Sequence, residues 1–140
     1  MWNAQRVRSK FREFFALVYL DVLISLVSVT HLAPNDRSDG RIGGGVAIVL
    51  RRGLSHRLLP CPRTRVIESI AVELFVSGRR VVIVSVYFPG SSDPRVLSLY
   101  RKDLEILSGL GADVLIGGDL NSRHPFWRCA STNSAGTVLF

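Results

Sequence analysis

The chain has 140 residues, 47% of them hydrophobic and 21% charged, a balance that excludes a disordered tail and suits one folded core. Its 18 Lys and Arg outweigh 11 Asp and Glu for a formal net charge of +7, which favours a polyanionic partner, with nucleic acid first. Cys61 and Cys129 stand in unrelated contexts, without a CxxC pair or a histidine at ligand spacing. This argues against a disulfide framework or a zinc site, and for two semi-buried thiols in a reducing compartment.

Over residues 5–20, Val7, Phe11, Phe14, Phe15 and Val18 recur at spacings of three and four with charges between them, which predicts a helix packed on a sheet. Residues 14–32 are largely apolar and follow Arg6, Arg8, Lys10 and Arg12, the layout of a signal or membrane anchor. Asp21 argues against a span, because a carboxylate at mid-membrane costs roughly 2.5–3.5 kcal/mol. No membrane partner is expected, and an anchor over 14–29 is the minor alternative. Residues 22–29 read as a buried strand. Pro34, Asn35, Asp36, Asp39 and Gly40 make a loop, and Gly43, Gly44 and Gly45 open a strand over 46–50. With no Gly-Lys-Ser or helix behind it, that triplet reads as a flexible lead into the strand and not as a phosphate loop. His56 sits in a basic loop without a partner.

Residues 66–76 and 80–88 are two β-rich runs joined by Ser77, Gly78 and Arg79, the pattern of an antiparallel hairpin. The second run ends at Pro89-Gly90. After a loop at 91–94, residues 95–110 place Val96, Leu99, Leu104, Leu107 and Leu110 on one helical face, and a short buried strand follows over 113–116. Strands and helices intermix without an internal repeat or a linker, which predicts one α/β (α+β layered) domain over 1–140.

The stretch Val114-Leu115-Ile116-Gly117-Gly118-Asp119-Leu120-Asn121 is an apolar strand that stops at two glycines and delivers an acid and an amide. In extended chain, residues two apart point the same way, so Asp119 and Asn121 would project together. An Asp so placed can orient and deprotonate water, and an Asn can hold that water or a phosphate oxygen. An Asx turn that merely ends the strand is the competing reading, evenly weighted on these residues alone. Tyr87 ends the hairpin where its phenol could reach the same sheet edge.

Gly117-Gly118-Asp119-Leu120-Asn121 followed by Ser122-Arg123-His124-Pro125-Phe126-Trp127 resembles the Gly-Asp-x-Asn motif of the apurinic-type endonucleases of non-LTR retrotransposons. These belong to the endonuclease/exonuclease/phosphatase superfamily. Asn133, Gly136 and Leu139 resemble the Asn-x-x-Gly-x-x-Leu that follows in that group, and the likeness continues upstream through Tyr87, the strand opening at Gly43 and Trp2-Asn3-Ala4. The resemblance implies a two-sheet α/β sandwich, DNA as partner, a nuclear location and no small-molecule cofactor. It also implies a phosphodiester cleaved by water with Mg²⁺ to leave a 5′-phosphate and a 3′-hydroxyl, the nick that primes reverse transcription. Carried onto this chain, Asp119 is the water-activating carboxylate and metal ligand, Asn121 its partner, Tyr87 a phosphate donor and Asn3 an amide near the metal. Arg123 is the expected contact to the DNA backbone.

Three departures from that pattern carry consequences. Ser28-Val29-Thr30-His31-Leu32 resembles a Ser-Glu-Thr-His-Leu segment with valine where the metal-binding glutamate belongs, and an isopropyl group offers a hard cation no oxygen. The 140 residues end before a Ser-Asp-His type motif, so the domain is expected to be truncated, with part of one sheet unpaired and apolar surface exposed. His31, in the loop after Val29, and His124 read as packing histidines that do not replace it. Gln5-Arg6 stands where Asn-Gly is usual, which weakens Asn3 as a ligand. Decay of a mobile element accounts for all three and predicts Glu at position 29 in sister copies. The expected function is a target-DNA nicking endonuclease impaired in catalysis. A non-catalytic basic DNA-binding remnant and a phosphatase of the same superfamily remain the alternatives.

Overall fold

The computed structural model describes residues 24–32 and 43–140; the expected helix over 5–20, the loop at 34–40 and Asn3 lie outside the described residues. In chain order the elements are β1 (Ile24–Leu32), β2 (Gly43–Leu50), β3 (His56–Leu59), β4 (Glu68–Val76), β5 (Arg79–Tyr87), α1 (Pro94–Ser108), β6 (Val114–Asp119), a 3-10 turn (Pro125–Trp127) and α2 (Ser134–Leu139). β1 and β2 form one antiparallel pair, and β3-β4-β5-β6 form a four-stranded sheet in that order, antiparallel except for the parallel β5–β6 pair.

The β4–β5 hairpin forms as its alternation predicts, but it closes on two residues and not three. Val76 pairs with Arg79, and Ser77 and Gly78 both take positive φ, +50° and +78°, the mirror-image turn whose twist matches the strands it joins. A parallel partner needs a crossover, and α1 supplies it between β5 and β6. α1 starts sharply because Asp93 accepts from the Arg95 backbone N–H at 2.8 Å and Pro94 occupies the first turn, and it ends at Gly109.

β5 is the central strand, and Val82, Ile83, Val84, Ser85 and Val86 are all buried because both faces are covered. On one face Val82, Val84, Val86 and Phe88 pack with Ala71, Tyr100 and Leu107 under α1. On the other, Ile83, Val72 and Leu74 meet Ile24, Leu26, Ile48 and Leu50 of the two-stranded sheet. That is the expected two-sheet α/β layering, with each fully buried aliphatic side chain contributing about 1.5–3 kcal/mol.

Several boundaries differ from expectation. β6 runs through Gly117 and Gly118 to Asp119 and does not stop before them. β1 runs to Leu32, so His31 lies in a strand and not a loop, with a register irregularity between Val29 and Leu32. The described part of the 14–29 anchor alternative is likewise strand. No helix among the described residues is long and apolar enough to cross a membrane. β3 was not expected at all: His56 pairs with Leu74, and its Nδ1 lies 2.8 Å from the Leu54 carbonyl. Both cysteines are free and half-buried, as expected.

Candidate active site

The C-terminal ends of parallel neighbouring strands are where α/β sheets commonly place ligands, because the connecting loops splay apart there. Here those ends are Tyr87 of β5 and Asp119 of β6, which are register partners. Their close approach depends on Gly118. Its φ is +147°, and a Cβ there would lie 2.0 Å from the Val86 carbonyl oxygen, a separation no side chain tolerates. The glycine therefore sits before the acid to let β6 close on β5, and the Phe88 N–H donates to the Asp119 carbonyl at 2.9 Å to extend the pairing.

Asn121 reaches this rim by a route other than strand alternation. The strand ends at Asp119, and Asn121 adopts a left-handed φ of +46°. The Asn121 N–H donates to Asp119 Oδ1 at 3.1 Å, while Asn121 Nδ2 donates to the Phe88 carbonyl at 2.8 Å. The Asx turn and the convergence of acid and amide therefore coexist, and the two readings of the sequence were never exclusive. Asn is well chosen, since it tolerates left-handed backbone better than most residues.

Beneath the rim, Phe88 stacks on Tyr100 of α1 at 4.1 Å between centroids and 11° between planes, and Tyr100 Oη is 3.2 Å from Ser122 Oγ. Ser122 Oγ in turn donates to the Leu120 carbonyl at 3.0 Å. Burial raises the Tyr100 phenol above its ordinary range, and the Ser122 hydrogen bond opposes this. Asp103, also buried on α1, accepts from the backbone N–H groups of Arg65, Val66 and Ile67 and pins the lead into β4.

The second support comes from α2. Asn133 caps that helix through Oδ1, which accepts from Gly136 N–H at 2.8 Å and also from Arg123 N–H at 2.9 Å. Its Nδ2 donates to the Asn121 carbonyl at 2.7 Å, and its own N–H donates to the Arg123 carbonyl at 3.1 Å. Gly136 has no alternative, since a Cβ there would fall 1.9 Å from the Arg123 carbonyl oxygen. Arg123 is exposed with its backbone fixed on both sides. His124 is a packing histidine: its Nδ1 accepts from Phe126 N–H at 3.2 Å, and its ring stacks on Phe140 at 4.1 Å.

The Tyr87 phenol is raised above its ordinary range by burial first, then by the charge of Asp119, then by that of Glu68. Glu68 is the register partner of Tyr87 on β4, so the phenol lies in a row between two carboxylates and stays protonated as a donor. Motif reading passed over Glu68, and the hairpin register was the one signal that could have found it. The backbone of Val29 pairs with Gly45 in the other sheet. No group of three His, Cys, Asp or Glu able to hold a metal occurs among the described residues. Of the basic residues, Arg57 pairs with Glu73 at 2.7 Å and Arg80 lies 3.9 Å from it, so part of the positive surplus is spent within the fold.

Asp119, Asn121, Arg123 and Trp127 line one cleft of about 860 Å³, roomy enough for a nucleotide-sized group. Residues 2–139 match the model of the Endonuclease/Exonuclease/phosphatase family. The chain is 24% identical, over 96% of its length, to the RNA-directed DNA polymerase from mobile element jockey of Drosophila funebris. It is 26% identical, over 99% of its length, to the probable RNA-directed DNA polymerase from transposon X-element of Drosophila melanogaster. It spans 15% and 16% of the lengths of those two proteins. Among solved structures, the endonuclease domain of TRAS1, a telomere-specific non-LTR retrotransposon, superposes with a TM-score of 0.73 at 19% identity. The match takes in 99% of this chain and 66% of that one.

Proposed function

Since the family model matches nearly its whole length, the chain belongs to the Endonuclease/Exonuclease/phosphatase family, and on that premise we propose that it is a DNA-directed endonuclease module of a non-LTR retroelement, impaired in hydrolysis at position 29. The observation that carries this reading is the meeting of Tyr87, Asp119 and Asn121 at the ends of two adjacent parallel strands, tied together through Phe88. The target is nuclear DNA, nicked so that a 3′-hydroxyl is freed.

In this reading the Asp119 carboxylate orients and accepts a proton from the attacking water. Asn121 has one Nδ2 proton committed to Phe88, which leaves Oδ1 and the second proton to hold that water. Tyr87, kept protonated by its neighbours, donates to a phosphate oxygen, and the exposed Arg123 takes a neighbouring phosphate. Family members generally depend on a divalent cation, which stabilises charge on the transferring phosphoryl group when bound. The donors here fit such an ion poorly: Asp119 and Glu68 are the carboxylates beside Tyr87, the position 29 side chain supplies no oxygen, and the described residues hold no cluster of three His, Cys, Asp or Glu. The chain's own residues are left with binding and orienting the strand, so Val29 favours a DNA-binding remnant as the second reading.

The test compares the parent chain with Val29→Glu in four assays: anisotropy of a labelled duplex across a salt series, Mn²⁺ binding by calorimetry, nicking of supercoiled plasmid, and phosphate release from a phosphoinositide. The parent is expected to bind duplex with a steep salt dependence, to bind Mn²⁺ weakly and to nick at background. V29E should bind Mn²⁺ at least about tenfold more tightly, the scale of one restored carboxylate ligand. Absence of duplex binding, or phosphate release from a phosphoinositide instead, would sink the assignment.

A further inference from the structure

Beyond the rim the surface changes character. Residues 121–140 include Arg123, His124 and Arg128 but neither Asp nor Glu, so this segment is basic, and Asp119 is the acid that shares its cleft. In its midst three aromatic side chains stand out of the fold: Phe126, Trp127 and Phe140 are 76%, 43% and 72% exposed. Rings of this size normally supply core, and a cluster of them on a basic surface marks a contact.

The cluster is held rigidly. The 3-10 turn is closed by Trp127 N–H donating to the His124 carbonyl at 3.0 Å and Arg128 N–H donating to that of Pro125 at 2.8 Å. Arg128 then leaves in the left-handed region at φ +61°. The His124 ring lies 5.6 Å from that of Trp127 at 63°, edge to face, and is itself stacked on Phe140. Phe126 also leans on Phe140, at 5.6 Å between centroids and 55° between planes. The indole is therefore posed before any partner arrives, which lowers the entropic cost of binding.

Position distinguishes Trp127 from its neighbours. It lines the same cleft as Asp119, Asn121 and Arg123, and Phe126 does not. A strand whose phosphate lies against Asn121 and Arg123 would bring its next base to that wall. Every base has a π-face, so an aromatic wall beside a phosphate site accepts any of them. We infer that Trp127 is a stacking platform for a nucleobase adjoining the phosphodiester addressed by Asp119 and Asn121, so that the module engages strands with a base turned out of the helix or unpaired. The inference rests on the DNA reading above and adds to it the state of the strand.

The test uses the full 140-residue chain carrying Trp2→Phe, which leaves Trp127 as the one indole, and two labelled single strands. One is a short thymidine oligonucleotide, and the other has the same phosphates with reduced abasic sites throughout. Anisotropy reads occupancy and indole emission reads stacking. At matched occupancy the thymidine strand should quench Trp127 and the abasic strand should leave it unchanged. Trp127→Ala should weaken binding of the thymidine strand about tenfold while leaving the abasic strand unaffected, and Trp127→Phe should fall between. Unquenched emission at saturation overturns the inference without needing a variant to fold, and so does an equal loss for both strands in W127A. In either case DNA binding itself stands. Failure of the parent chain to bind any strand, or the labelled duplex, overturns the DNA reading and this inference together.

Discussion

Asn133→Ala removes an acceptor shared by two backbone donors, Gly136 N–H at 2.8 Å and Arg123 N–H at 2.9 Å, and a donor to the Asn121 carbonyl at 2.7 Å. Loss of a helix N-cap alone costs about 1 kcal/mol. Each remaining bond adds about 0.5–1.5 kcal/mol, because the loop groups it leaves behind are reachable by water. The sum is about 2–4 kcal/mol, or a Tm lowered by roughly 6–16 °C in a chain of this size. Asn133→Asp is the control: it keeps the shared acceptor and places negative charge at the start of α2, where it is favourable, but loses the donor to Asn121. Its cost should be about 1 kcal/mol. Urea unfolding followed by circular dichroism gives both energies, and hydrogen exchange at the Arg123 amide reports the loop directly. The reasoning fails if N133A stays within about 0.5 kcal/mol of the parent, or if N133D loses as much stability as N133A while the Arg123 amide remains protected.

Gly118→Ala forces a Cβ to within 2.0 Å of the Val86 carbonyl and should cost about 3 kcal/mol or more from strain and separation of β5 and β6; a loss under about 1 kcal/mol in the same unfolding assay contradicts that apposition. Arg123→Ala should weaken duplex binding uniformly across sequences and reduce the salt slope by about one, and an unaltered slope removes Arg123 from the interface. Tyr87 should ionise above the usual value near 10 when followed by ultraviolet absorbance in metal-free buffer with Tyr19→Phe and Tyr100→Phe, which leave it the one phenol. Because its folded pKa is raised, the stability it contributes is fully present below about pH 10 and is lost as pH climbs through the folded value. Asp119→Asn removes the second cause and leaves burial in place, so the titration should move part of the way back. An unmoved curve means the two groups are not coupled.

How much of this was legible in the sequence depends on whether the deciding interaction was local. The β4–β5 hairpin and α1 declare themselves through alternation, a Ser-Gly turn and an Asp-Pro start, all set within a few residues. β3 does not, since Arg57 and Leu58 are both exposed and the strand exists by pairing with β4. The glycines of β6 looked like a stop, because a glycine pair usually breaks a strand, but a Cβ on Gly118 would lie 2.0 Å from the Val86 carbonyl oxygen of β5 and one on Gly117 would lie 2.6 Å from the Leu26 side chain of β1. Apolar periodicity selected Leu107, which is buried, but passed over the other two buried residues of α1, Tyr100 and Asp103. A phenol and a carboxylate enter a core only with partners, and theirs are Ser122 and the amides of Arg65, Val66 and Ile67. Asp119 and Asn121 are grouped in the sequence by their motif and Tyr87 by its place at the end of the hairpin, yet the left-handed turn that places Asn121 could not be read from an extended chain.

The supports of the rim and its chemistry come from different residues. Asn121 is posed by the Phe88 carbonyl and by Asn133, Gly118 sets the distance between β5 and β6, and the Phe88–Tyr100 stack holds the floor. None of these contacts passes through position 29, whose backbone is paired in the opposite sheet. Replacing a carboxylate there with an isopropyl group therefore removes charge and oxygen without removing any strut of the loop. On the proposed function, such a substitution is expected to separate binding from cleavage: Tyr87, Asn121 and Arg123 would remain to meet the strand, while the group that would draw a cation to them is missing. The same logic runs in reverse: Val29→Glu is expected to add a cation ligand to a rim already built, without rebuilding the rim.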